Sequence, residues 1–78
     1  MNKVLQALQR ICLHGVTEYD VTVDGERLRQ LTGELPSGEQ IHVMASSEGW
    51  HVAFGAMSPY GAPPAVSEHE AAQIILSA

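Results

Sequence analysis

The side chains best suited to chemistry in this chain are four histidines, one cysteine and a scatter of serines. His42 and His51 lie in two short alternating segments, "QIHVMA" and "WHVAFG", separated by "SSEG". A four-residue loop at that point sets Ala45 opposite Trp50, Val43 opposite Val52 and Ile41 opposite Phe54, which makes one apolar face. His42, Met44, His51 and Ala53 then share the other face, with the two histidines diagonal to each other. Such a pair could hold a transition metal weakly, whereas a closed zinc site needs four ligands. Solvated sheet histidines explain the same residues without a metal, so no cofactor is expected.

The other reactive groups lead away from catalysis. "HEAAQ", His69 to Gln73, is one residue short of H-E-x-x-H and puts a glutamine where the second zinc ligand must stand. Glu70 fits a capping box with Ser67 instead. Cys12 reads as a small buried hydrophobe, because His14 is two positions away and i,i+2 side chains diverge on a helix. Ser46, Ser47, Ser58 and Ser67 have no G-x-S-x-G context, and no phosphate-cradling glycine loop is present. Glu18 and Asp20 sit beside arginines on an exposed face, where acid–base tuning is not expected. The chain therefore reads as a protein that is not an enzyme.

The elements that must position these residues follow from periodicity. Residues 2–14, "NKVLQALQRICLH", carry Val4, Leu5, Leu8, Ile11 and Cys12 on one stripe, the pattern of an amphipathic helix, with Gly15 as its C′ residue and His14 near the favourable negative end. The period then changes to two. Asp24-Gly25 signals a type I′ hairpin that sets Val21 opposite Leu28 and Asp20 opposite Arg29, a cross-strand ion pair. Leu28, Leu31 and Leu35 cannot share a face on a regular strand, so a bulge is expected near Arg29–Gln30. "LPSGEQ" is a turn, followed by the two histidine-bearing strands. A second helix begins after Ser67, with Val66 stapling to Ala71 and a stripe of Ala71, Ile74, Ile75 and Ala78. The expected fold is α+β: an N-terminal helix, an antiparallel four-stranded meander and a C-terminal helix. Both helices pack on one face of the sheet, and residues 1–78 form one domain.

Composition narrows the partners. The formal charge is −5, and all basic side chains (Lys3, Arg10, Arg27 and Arg29) lie in the first 29 positions. Nucleic-acid phosphates demand Lys and Arg, so direct nucleic-acid binding is not expected. A protein partner with a basic surface is easier to argue. A lone cysteine forms no intrachain disulfide, which suits a reducing cytoplasm. Gln6, Gln9 and Arg10 interrupt any signal-like apolar run, and no segment approaches the roughly 20 apolar residues of a membrane span.

The remaining uncommitted residues are apolar. The loop "FGAMSPYGAPPA" carries Met57 and Tyr60, Trp50 stands at a hairpin end, and the outer sheet face carries Met44 with Leu31 or Leu35. "SPYG" has the preferences of a type I turn, and Pro63-Pro64 stiffens the approach to the helix, so the loop reads as an ordered crossover. A mixed apolar patch at Trp50, Met57 and Tyr60, rimmed by Glu34, Glu39 and Glu48, would make a docking site.

In size, acidity, layout and lack of a catalytic motif, the chain resembles small phage-encoded inhibitors of the anti-CRISPR type. The likeness spans the chain but rests on no shared motif, so no functional residue is carried over. It implies a protein that occludes a nucleic-acid-binding surface on a host complex. Two other readings stand beside it: a homodimer or accessory subunit joined through the outer sheet face, and a metal- or ligand-binding protein using His42 and His51.

Overall fold

The computed structural model describes residues 2–56, 59 and 63–78. Its elements run α1 (Lys3–Ile11), β1 (Thr17–Val23), β2 (Glu26–Glu34), β3 (Gln40–Ser46), β4 (Gly49–Phe54) and α2 (Glu68–Leu76), with the strands side by side in chain order as one antiparallel sheet. Both helices pack on the same face, giving the α+β arrangement read from the sequence. Val4, Ala7 and Leu8 of α1 and Ala71, Ala72 and Ile75 of α2 close over Leu31, Ile41 and Val43. Each large side chain fully buried there contributes about 1.5–3 kcal/mol. None of the described helices is long and apolar enough to cross a membrane.

Helix α1 starts because the Asn2 side chain accepts from the Val4 and Leu5 N–H groups at 2.8 and 3.3 Å. It stops earlier than its apolar stripe suggests. Cys12 is already extended, and the Leu13 N–H turns to the Glu34 carbonyl at 3.0 Å rather than to a helical one. Gly15, at φ 82°, therefore serves a turn between α1 and β1 and is not a helix cap. Helix α2 begins as read: the Ser67 hydroxyl accepts from the Glu70 N–H at 3.1 Å.

The hairpin registers follow the turns. Asp24 and Gly25 both have positive φ, 51° and 80°, as a type I′ turn requires, and Val21 stands opposite Leu28. Ala45–Trp50, Val43–Val52 and Ile41–Phe54 pair as the loop length demands. The expected bulge is absent: β2 pairs without interruption against both neighbours. Leu31 and Leu35 turn to the helices, while Leu28 simply lies on the opposite face. Asp20 and Arg29 are cross-strand neighbours, but the ion pairs run diagonally, Arg29–Glu18 at 3.0 Å and Arg27–Asp20 at 3.8 Å.

The second face of the sheet is not bare. Met44 is 4% exposed and Ala53 is buried, although both point away from the helices. The chain that leaves β4 supplies part of this cover: Gly55 and Pro63 bond to histidines on that face, and Pro59 is buried. The chain then returns along the β4 edge. There Val66 forms a one-residue bridge to Trp50, with N–H···O distances of 2.9 and 2.8 Å. Val66 thus covers the β4 edge at Trp50, and β1 forms the other edge.

Candidate functional site

The sheet register decides which acidic residues can act together. Glu34 pairs with Gln40 at one end of the sheet, and Ser46 pairs with Gly49 at the other. The length of β3 separates these ends by about 20 Å. Glu34 and Glu39 therefore lie at one end and Glu48 at the other, so they do not form the single rim expected from the sequence. Glu34 is 3.4 Å from the exposed His14 ring, and Glu39 is exposed. Trp50 is half-buried against the core, with its backbone tied to Val66. Met57 and Tyr60 lie outside the described residues.

A different grouping forms at the Glu48 end. The tight Asp24-Gly25 turn brings the first hairpin level with the β3–β4 turn. Between them is a groove of about 270 Å³, floored by Val23, Leu28 and Met44 and rimmed by Asp24, Glu26 and Glu48. Asp24 and Glu26 escape sequence reading because they look like ordinary turn residues. Only the pairing of β2 with β3 brings them beside Glu48. Ser46 and His51 form the remaining wall.

The two sheet histidines are wired into the chain itself. His51 Nδ1 lies 3.1 Å from the Pro63 carbonyl, which can only accept, so Nδ1 carries the proton. His51 Nε2 then accepts from the Ser46 hydroxyl at 2.8 Å. On His42, Nε2 donates to the Gly55 carbonyl at 3.0 Å, and Nδ1 accepts from Thr32 Oγ1 at 3.2 Å. The direction propagates outward: the Tyr19 hydroxyl donates to Thr32 Oγ1 at 3.0 Å, and Gln30 Nε2 donates to the Tyr19 oxygen at 2.9 Å.

These bonds limit the chemistry available. All four ring nitrogens of His42 and His51 hold internal partners, so binding a metal would mean displacing the Ser46 or Thr32 hydroxyl, or a backbone carbonyl of Gly55 or Pro63. No group of three or more His, Cys, Asp or Glu side chains among the described residues could hold a metal ion. Ser46 and His51 have the contact of a nucleophile and base. The Ser46 oxygen, however, also accepts from the Glu48 N–H at 3.2 Å, which braces the β3–β4 turn, and His51 is only 8% exposed. Through these bonds the pair links the β3–β4 turn to the Pro63 backbone. Cys12 packs toward Gly33, and burial pushes its thiol pKa up, away from the thiolate.

A second groove, about 330 Å³, lies between the helices. Lys3, Gln6 and Arg10 line it from α1, and His69, Gln73 and Leu76 from α2. The i, i+3, i+7 spacing of Lys3, Gln6 and Arg10 was its sequence signal. Lys3 and Arg10 thus lie over the helices, away from the groove that Asp24, Glu26 and Glu48 rim. Comparison with family models, curated proteins and solved structures finds no match to this chain.

Proposed function

We propose that the protein is a small non-enzymatic binding module that docks a basic segment of another protein in the groove between the two hairpin turns, acting as an inhibitor or modulator of that partner. The observation that supports this reading is the meeting of Asp24, Glu26 and Glu48 around the apolar floor of Val23, Leu28 and Met44. A lysine or arginine has an aliphatic stem and a charged head, and this groove offers complementary surfaces to both. A partner surface that ordinarily holds nucleic acid presents such side chains, and an acidic protein seated there would exclude the nucleic acid.

The test is affinity capture from source-cell extract, with the recovered proteins quantified by mass spectrometry. Glu26→Lys with Glu48→Lys should lose the partner, whereas Glu34→Lys with Glu39→Lys, at the far end of the sheet, should keep it. Equal recovery by both double variants would refute the choice of groove. The captured partner should also lose its nucleic acid when the wild-type protein is added.

A further inference from the structure

We infer that the outward edge of β1 is a docking strand for an extended segment of the partner, one that alternates Lys or Arg with β-branched or apolar residues. This rests on the binding reading above and adds how the partner is held. A two-residue hairpin makes its flanking residues, here Val23 and Glu26, a hydrogen-bonded pair, and the pattern then alternates along the ladder. Thr17, Tyr19, Val21 and Val23 therefore spend their backbone groups on β2. Glu18, Asp20 and Thr22 turn theirs outward, and no described residue bonds to them. At the opposite edge, Val66 already occupies Trp50.

Side chains on this edge select the occupant. Glu18 and Asp20 lie on one face of β1, and Tyr19 and Val21 on the other. Each carboxylate contacts its arginine through one oxygen and stays well exposed, leaving the second oxygen for another cation. A second copy of the chain is a poor occupant. Outward residues must pair with outward residues, so the longest symmetric antiparallel β1–β1 contact sets Asp20 opposite Asp20, and the slipped ones set Glu18 opposite Asp20 or Asp20 opposite Thr22. Carboxylate meets carboxylate in the first two, and the third brings no cation to Asp20, so self-pairing is disfavoured. An incoming strand with Lys or Arg opposite Glu18 and Asp20 satisfies both the charges and the backbone.

The test uses a short synthetic peptide alternating Lys with Val, and the same peptide N-methylated at its lysines, with binding read by fluorescence anisotropy. The expected result is saturable binding of the first and roughly tenfold or more weaker binding of the second, since methylation removes backbone hydrogen bonds and keeps every charge. Thr22→Pro should weaken binding similarly, because it deletes an outward N–H without touching the ladder to β2. The Glu18, Asp20 and Thr22 amides of the wild type should gain exchange protection with peptide. Equal binding of the two peptides, or none by the wild type, overturns the inference. Equal binding that is lost in the Glu26→Lys, Glu48→Lys variant overturns the edge while leaving the groove reading standing.

Discussion

Gly49→Ala should cost this protein far more than Gly25→Ala, although both glycines sit at positive φ. Gly25, at φ 80°, has open space where a Cβ would go, so the substitution costs only the left-handed backbone penalty, about 1–2 kcal/mol. At Gly49, φ 138°, a Cβ would come within 2.7 Å of the Val66 carbonyl oxygen. That oxygen accepts from the Trp50 N–H, so relieving the collision means opening the Trp50–Val66 bridge. Losing its two hydrogen bonds adds about 1–3 kcal/mol to the backbone term, a total of roughly 2–5 kcal/mol. For a domain of this size each kcal/mol lowers Tm by about 4–8 °C, so the two variants should differ by roughly 4–24 °C. Thermal unfolding followed by Trp50 fluorescence measures both. Equal Tm values would falsify the claim that the Val66 bridge restrains the chain at the β4 edge.

Two further perturbations probe the same architecture. Gly33→Ala should be destabilising because its Cβ would collide with Cys12 Sγ, and Cys12→Ala should recover part of the loss in the double variant; additive losses in a urea-unfolding cycle would refute that contact. His51→Ala should cost about 2–4 kcal/mol, since it removes two hydrogen bonds and leaves the Pro63 carbonyl without that donor, and it should speed proteolysis between Gly55 and Pro63; an unchanged cleavage rate would show that the ring does not fasten this segment.

The sequence made the local rules legible. Asp24-Gly25 fixed one register, the four-residue turn fixed another, and Ser67 marked the start of α2, because each signal acts within a few residues of itself. The errors came where a distant partner decided the outcome. The apolar stripe of α1 runs on past Ile11, but the Glu34 carbonyl takes the Leu13 N–H and ends the helix. Leu28, Leu31 and Leu35 suggested a bulge only on the premise that all three share one core. The structure buries Leu31 and Leu35 beneath the helices and places Leu28 in the groove floor on the opposite face. The bonds from His42 and His51 to the chain beyond β4 have no periodicity to read, since the acceptors are the backbone carbonyls of Gly55 and Pro63 and side-chain identity there is irrelevant. The three glutamates read as one rim were divided by strand direction, which linear spacing does not convey.

The meander order also shapes how the molecule assembles. Each strand pairs with its neighbour in sequence, so both hairpins and the turn between them close short loops with little entropy to overcome. The contact between α1 and α2 spans nearly the whole chain: the Lys3 N–H reaches Glu68 at 3.2 Å across 65 positions. That closure is the slowest to find and the first to lose, so folding should run from the central hairpins outward and opening from the helices inward. In native-state exchange, the amides of α1 and α2 should exchange before those of Val43 and Leu31, because the helix pair clasps a sheet that is already formed.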